Sequence, residues 1–244
     1  MADKKFLIIS PVWNHKQHWQ ENLIQCFLDQ SHPHKTMVLI DDRPVRLDQG
    51  NPFPGVHIVE SFARFPSLMA KYQFGVEWAI DAGIRFDAIS AMEDDDLYLA
   101  DFLAVHNREL QNKEWSYNSH IYSTVGDIVR TEPCYLGMTW TTGTCRRELF
   151  DKAGGFGTTG IMGFDQEYCK RLLAHGGEPS RPSEIEYLYT WECSQDSHTS
   201  GLSTGYDDTT WYQRTPYSRV TGPLEPKYND IALGLMAQIK ALES

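Results

Sequence analysis

Four carboxylates stand side by side directly after an apolar segment, in the stretch SAMEDDDLYL of residues 90–99. We call the segment Glu93–Asp96 the acidic loop. Like charges on neighbouring residues repel, and the repulsion grows as the surroundings become less polar. Because the loop follows a predicted buried strand, the pattern favours a site that holds a cation. A solvated acidic turn is the alternative that composition alone supports.

Two shorter patterns occupy comparable places in the chain. The apolar run TMVLI is followed directly by Asp41 and Asp42. The earlier run KFLIIS is followed by Pro11 and, two residues later, by Trp13. In a mostly parallel sheet, ligands gather where the strands end at their carboxyl termini. We therefore expect these residues to lie at the same edge as the acidic loop.

The periodicity of apolar residues predicts the elements that position these side chains. Strands are predicted at 5–10, 36–40, 56–59, 86–92, 121–125, 135–141 and 185–191. Helices are predicted at 17–30, 67–82, 99–112, 146–153, 164–175 and 228–242. The alternation predicts an α/β fold with a mostly parallel, Rossmann-like sheet flanked by helices. The irregular stretch 194–226 is long enough to be a functional lid.

Composition narrows the class of protein. The 244 residues favour one domain, and the net charge of -11 argues against a surface that attracts nucleic acid. Five widely spaced cysteines indicate neither a disulfide framework nor a zinc site. The only apolar run near the amino terminus is too short for a signal sequence or a membrane span, so we expect a cytoplasmic protein.

Five segments in this order resemble the GT-A glycosyltransferases, particularly the large family 2 of nucleotide-sugar-dependent enzymes. They run from residue 6 to about residue 177 and read IISPVWNH, CFLDQSHPHKTMVLIDD, SAMEDDDLYLADFL, TCRRELFDKAGGF and GFDQEYCKRLLAHGG. The resemblance implies a single GT-A domain over residues 1–244. Residues 1–112 would bind the nucleotide sugar, and residues 113–244 would bind the acceptor and end in the lid and a helix.

The resemblance implies metal ligands in the acidic loop. Asp95 matches the last Asp of the family's D-x-D motif, which is the usual direct ligand. Glu93 stands at the first position, where Asp is commoner, and Asp94 is expected near the ribose or sugar. A Mn²⁺ or Mg²⁺ ion there would neutralise the diphosphate leaving group as the glycosidic bond breaks. A calcium-binding loop is disfavoured because Leu99 stands where the required glycine would be.

The resemblance also implies contacts with the nucleotide. Asp42 matches the carboxylate that reads a uracil ring, and Pro11 and Trp13 belong to the turn beside it. A packing role is an equal alternative for Trp13. Lys71 aligns loosely with a basic residue near the nucleotide, and its alternative is an exposed helix lysine.

For the transfer step, Asp165 matches the Asp of the family's Glu-Asp motif, whose carboxylate takes the proton from the acceptor hydroxyl. Phe164 replaces the Glu of that motif. The alternative is an Asp that stabilises a helix amino terminus. Family members often add a His ligand from a C-terminal loop, so His198 is the predicted third metal ligand, with His175 and His120 as competitors.

Together these inferences predict a metal-dependent, inverting hexosyl- or pentosyltransferase that uses a nucleotide sugar, expected to be a UDP-sugar. The expected acceptor is a glycan hydroxyl, and a hydroxylated base of phage DNA is less favoured because of the acidic charge. A sugar-phosphate nucleotidyltransferase is disfavoured because SPVWNHKQHW contains no glycine-rich phosphate loop. A catalytically silent binding domain is disfavoured because the metal and base carboxylates are both present.

Overall fold

The computed structural model describes residues 3–12, 17–41, 53–61, 65–136, 140–157, 164–190 and 225–243. Its strands are β1 (Phe6–Pro11), β2 (Lys35–Asp41), β3 (Val56–Glu60), β4 (Ala88–Ala91), β5 (Leu97–Tyr98), β6 (Trp115–Tyr117), β7 (His120–Val125), β8 (Ile128–Pro133), β9 (Gly143–Arg146) and β10 (Tyr187–Tyr189). Its helices are α1 (Gln17–Asp29), α2 (Leu68–Asp81), α3 (Phe102–Glu109), α4 (Arg147–Lys152), α5 (Phe164–Gly176) and α6 (Asp230–Leu242), and a 3-10 turn spans Trp140–Thr142.

The main sheet has six strands in the order β3-β2-β1-β4-β9-β6. The first four are parallel to one another, and β9 runs antiparallel to both of its neighbours. Every residue of β1 and β4 is buried, as is typical of parallel strands that are covered on both faces. The sheet confirms the predicted α/β fold with mostly parallel strands.

Helix α2 packs closely against β1 and β2 and carries side chains to the site. Ser67 caps the helix by accepting a hydrogen bond from the Ala70 amide at 3.1 Å, and Gly83 follows it with a φ of 74°. A Cβ atom at Gly75 would lie 2.5 Å from Cδ1 of Ile40 and 3.0 Å from Cγ2 of Ile9. Glycine therefore permits the close approach of α2 to the sheet.

A second sheet has the order β5-β10-β7-β8. Strand β10 runs antiparallel to β5 and parallel to β7. Because β5 begins directly after the acidic loop, this pairing attaches the loop to β10. Helix α6 packs on β8, where Gln238 accepts a hydrogen bond from the Val129 amide at 3.0 Å and donates one to the Asp127 carbonyl at 2.8 Å.

The predicted elements agree with the structure best in the first half of the chain. The strand predicted at 135–141 is wrong, because residues 135 and 136 are irregular and residues 140–142 form the 3-10 turn. The sequence predicts no strand at β6, β8 or β9. Strands β6 and β9 are only three and four residues long, and β8 is largely exposed, so none shows a clear apolar period.

The four described cysteines are buried free thiols, namely Cys26, Cys134, Cys145 and Cys169. The predicted lid at 194–226 lies almost wholly outside the described residues. Within the described part of the chain, no helix has both the length and the apolar character needed to cross a bilayer.

Candidate active site

The acidic loop is buried at the carboxyl end of β4. The exposed fractions of Asp94, Asp95 and Asp96 are 3%, 7% and 1%, so the loop is not a solvated turn. One carboxylate oxygen from each of Glu93, Asp95 and Asp96 lies within 4.8 Å of the other two. Hard divalent cations such as Mg²⁺ and Mn²⁺ prefer oxygen ligands of this kind. The donor set therefore fits the predicted metal.

Asp96 anchors the acidic loop to β10 and the residue that follows it. The Tyr187 hydroxyl donates to Oδ2 of Asp96, and the Thr190 amide donates to Oδ1 at 3.0 Å. The Thr190 hydroxyl also donates to the main-chain carbonyl of Asp95. Burial, followed by the charge of Asp95, holds the pKa of Asp96 well above its usual range. Both oxygens of Asp96 therefore accept hydrogen bonds that tie the acidic loop to β10 and Thr190.

Glu93 is held at both its side chain and its backbone by buried tyrosines. The Tyr72 hydroxyl, from α2, donates to Oε1 of Glu93 at 3.0 Å. The Glu93 amide donates to the Tyr98 hydroxyl at 2.9 Å. Burial and then the charge of Glu93 raise the pKa of Tyr72 well above its usual value, so its hydroxyl keeps the proton that it donates. The carboxylate is thus oriented before any ligand arrives.

Asp165 lies in the first turn of α5, at the predicted place on the helix, and is partly exposed. The pKa of Tyr189 is raised mainly by burial, then by the charges of Asp96, Asp95 and Glu93, and also by that of Asp165. Asp165 likewise adds to the rise in the pKa of Tyr72, after burial, Glu93 and Tyr98. The fold therefore brings Asp165 into electrostatic range of Tyr72 and Tyr189, two tyrosines on which charges of the acidic loop also act.

The end of β1 contributes the next part of the site. Pro11 is the last residue of β1 and is buried. Lys71 is fully buried on α2, and its ammonium donates to the Val12 carbonyl. The alternative of an exposed helix lysine is therefore wrong. Because β1 pairs with β4, this buried cation lies at the sheet edge from which the acidic loop departs.

Three predicted site residues, Trp13, Asp42 and His198, lie outside the described residues, and their roles stay predictions. The competing histidines His120 and His175 are both exposed. In the described ranges, the group of possible metal ligands that the structure brings together contains only carboxylates.

Sequence reasoning missed the side chains that hold the site together, in particular Tyr72, Tyr187 and Thr190. Each is joined to the acidic loop across 21 to 95 residues of chain. In the sequence, Tyr72 could have been noticed only because it directly follows Lys71, which is predicted to lie near the nucleotide. The contacts themselves required the fold.

Solved structures that share this fold include TarS of S. aureus and a mannosyltransferase, and the chain has the GT-A fold that the resemblance predicted. No protein-family model matches the sequence, and no curated protein matches it. TarS 1–349 of S. aureus, in complex with UDP-GlcNAc, has a TM-score of 0.60 and 14% identity, over 83% of this chain and 61% of that chain.

A second solved structure is the mannosyltransferase PcManGT from Pyrobaculum calidifontis, in complex with GDP-Man and Mn²⁺. It has a TM-score of 0.55 and 14% identity, over 80% of this chain and 58% of that chain. The chain thus spans less than two thirds of the length of these glycosyltransferases, and at this identity the likeness establishes the fold.

Proposed function

We propose that the protein is a metal-dependent, inverting glycosyltransferase that moves a sugar from a nucleotide sugar, expected to be a UDP-sugar, to an acceptor hydroxyl. The observation that carries the proposal is the group of three carboxylates at the end of β4 in a GT-A fold, with Asp95 and Asp96 buried and Glu93 half-buried. Structures of similar fold hold UDP-GlcNAc in one case and GDP-Man with Mn²⁺ in another, which supports this class of reaction.

In this proposal Asp95 and Glu93 bind Mn²⁺ or Mg²⁺, with His198 as the third protein ligand. When bound there, the ion would supply positive charge that stabilises the diphosphate leaving group. The Tyr72 hydroxyl holds the Glu93 carboxylate in place through the reaction. Asp96 keeps the loop closed against β10 and takes no part in the chemistry.

The nucleotide sugar is bound along the edge formed by the ends of the first, second and fourth strands. Asp42 accepts a hydrogen bond from the base, and Pro11 and Trp13 form the wall beside it. Asp94 contacts the ribose or the sugar. Lys71, buried at the end of β1, holds the strand end that faces the donor.

Asp165 is the proposed general base. An inverting transfer proceeds by one displacement, in which the acceptor oxygen attacks the anomeric carbon while a carboxylate takes its proton. The charge of Asp165 contributes to the raised pKa values of Tyr72 and Tyr189. This electrostatic proximity supports the proposal that Asp165 lies near the candidate active site. Glu167, another carboxylate in the first turn of α5, is exposed and forms an ion pair with Lys170 at 2.8 Å.

The proposed acceptor is a glycan hydroxyl, with a hydroxylated DNA base as the less favoured case. Basic residues of the second half engage neighbouring groups within the described residues. Arg146 binds Glu114 at 2.9 Å, Arg147 binds Asp151 at 2.8 Å, and Arg181 donates to the Cys134 carbonyl. These contacts favour a role in holding the fold over the binding of a phosphate backbone.

A donor screen with the Asp165→Asn variant tests the function. UDP- and GDP-sugars are titrated with Mn²⁺, with Mg²⁺ and with a chelator, and the products are analysed by mass spectrometry and NMR. We expect metal-dependent donor binding and an inverted anomeric configuration. Asp165→Asn should keep donor affinity and melting temperature while the transfer rate falls about 10²- to 10⁴-fold.

Glu167→Gln is the matched control, because it alters an exposed carboxylate on the same helix and should leave the rate unchanged. A retained configuration, or transfer by Asp165→Asn at the parent rate, would place the base elsewhere. Binding of nucleotide sugar without turnover over a broad acceptor panel would indicate a silent binding domain.

A further inference from the structure

The chain turns sharply after α4 through residues 153–157, which we call the glycine turn. Gly154, Gly155 and Gly157 have φ values of 77°, 66° and 86°, in the left-handed region that other residues rarely adopt. The Gly155 amide donates to the Phe150 carbonyl at 3.0 Å. The turn therefore has a defined shape that depends on its glycines.

Arg171, two turns into α5, binds three carbonyl groups of the glycine turn. One guanidinium nitrogen donates to the carbonyls of Ala153 and Gly155 at 2.5 and 2.8 Å, and the other terminal nitrogen donates to that of Phe156 at 2.9 Å. The guanidinium also lies 5.4 Å from the centre of the Tyr168 ring. A planar, charged fork makes several strong hydrogen bonds at once, which a lysine ammonium cannot reproduce.

Helix α2 also holds the glycine turn. Oε1 of Gln73 accepts a hydrogen bond from the Phe156 amide at 3.0 Å. The Phe156 ring is buried, and its centre lies 5.2 Å from that of Tyr72 and 5.0 Å from that of Tyr168. The turn is thus wedged between the helix that orients Glu93 and the helix that carries Asp165.

We propose that Arg171 and Gln73 are positioning residues that hold the glycine turn as a spacer between α2 and α5. The proposal rests on the proposed function, because it gives the spacer the task of keeping Asp165 at a fixed distance from the acidic loop. A misplacement of about 1 Å at a reacting group can cost about 10²-fold in rate. The guanidinium is engaged by main-chain carbonyls, so its task is to shape the turn.

The spacer role differs from a general contribution to stability. Arg171 and Gln73 are only partly buried, whereas Phe156 packs in the aromatic core beside Trp140 and Phe150. Removal of the Arg171 guanidinium should therefore loosen the glycine turn and leave the aromatic core in place. Donor and metal binding, which depend on the acidic loop, should be preserved while the transfer step slows.

The test compares Arg171→Met with Lys170→Met in the full chain, using Mn²⁺ and the donor that the parent protein turns over. Lys170 is the neighbouring exposed cation, paired with Glu167. For Arg171→Met we expect kcat to fall about 10- to 100-fold, with donor KM and Mn²⁺ affinity within about twofold of the parent. Lys170→Met should match the parent in all three.

A second pair of variants tests the Gln73 contact and serves if Arg171→Met does not fold. Gln73 also donates to Oε1 of Glu77 at 3.0 Å, so both variants are made together with Glu77→Gln, which avoids repulsion between two carboxylates. In that background Gln73→Glu keeps an acceptor for the Phe156 amide and should retain kcat, whereas Gln73→Met removes it and should lower kcat about 5- to 10-fold at constant donor KM. Equal kcat in these two variants would overturn the proposal.

Retention of the parent kcat by folded Arg171→Met, or a lower melting temperature with unchanged kcat per folded molecule, would also overturn it. These outcomes are distinct from failure of the proposed function, in which the parent protein itself shows no metal-dependent turnover.

Discussion

Two groups of acidic side chains lie beside β10. The acidic loop is bound by Tyr187, the first residue of the strand, and by Thr190, which follows the strand. A second set, the outer acidic group, consists of Asp101, Glu184, Glu186 and Glu243, whose charges act on one another. Burial and then the charge of Asp101 raise the pKa of Glu186 to about 7, so like charges raise acid pKa values in both groups.

The two groups differ in what surrounds the carboxylates. In the outer acidic group, Glu184 pairs with Arg108 at 2.8 Å, and the two side chains are 44% and 55% exposed. An exposed pair of this kind contributes little to stability because water competes for it. In the acidic loop, the Tyr72 hydroxyl orients the half-buried Glu93, and the Tyr187 hydroxyl and the Thr190 amide orient the buried Asp96. Clustered charge alone therefore does not fix carboxylates in one orientation, whereas burial with directed hydrogen bonds does.

The largest expected effect is that of Asp95→Ala on metal binding. Loss of a direct ligand should weaken Mn²⁺ affinity by at least about 100-fold and abolish metal-dependent donor binding, with the fold intact. Electron paramagnetic resonance of Mn²⁺ and calorimetry with the donor measure both. Glu184→Gln removes one charge from the outer acidic group and should change neither. Unaltered affinity in Asp95→Ala would erase the distinction between the two groups.

Asp96→Ala should act on stability. The Tyr187 hydroxyl and the Thr190 amide would lose their buried acceptor, so we expect the free energy of unfolding to fall by about 2–4 kcal/mol. Urea denaturation without metal measures the change, and Glu184→Gln should stay within about 0.5 kcal/mol of the parent. A similar small loss in both variants would show that Asp96 does not anchor the loop.

Tyr72→Phe removes the hydroxyl that orients Glu93 and keeps the ring packed against Phe156. Partners that orient a metal ligand typically contribute about tenfold or more to metal affinity, so Mn²⁺ should bind about tenfold more weakly. Tyr228→Phe is the control, because its hydroxyl bonds to Asp29 on α1 at 3.0 Å. Equal Mn²⁺ affinity in the two variants would argue that Glu93 needs no such support.

Glu186→Gln has the smallest expected effect, which appears in the pH dependence of stability. The pKa of Glu186 is about 7 in the folded chain against an ordinary value of 4.5, so the folded state binds more protons between these values. Its contribution to stability is therefore complete below pH 4.5 and is lost as the pH rises through 7.

Urea denaturation of Glu186→Gln and the parent at about pH 5 and about pH 8 checks this direction, and the variant should lose less stability between the two values. Identical losses would show that Glu186 titrates normally.

The sequence by itself determined the α/β class, the positions of the first four strands along the chain and the presence of a carboxylate cluster after the fourth of them. Long apolar runs with helices between them specify parallel strands, since each run must be buried and each crossover must return to the same edge. The strands at β6 and β9 escaped prediction because three or four residues show no period, and pairing with neighbours is what makes them strands.

Only the tertiary structure decided what each carboxylate of the acidic loop contacts. Asp94, Asp95 and Asp96 are chemically identical neighbours, and their roles separate because β10 arrives with Tyr187 and Thr190, more than 90 residues further along the chain. The same holds for Gln73 and the Phe156 amide, which are 83 residues apart. Hydrogen bonds act over about 3 Å, so a pattern of local residues cannot specify partners that only folding brings together.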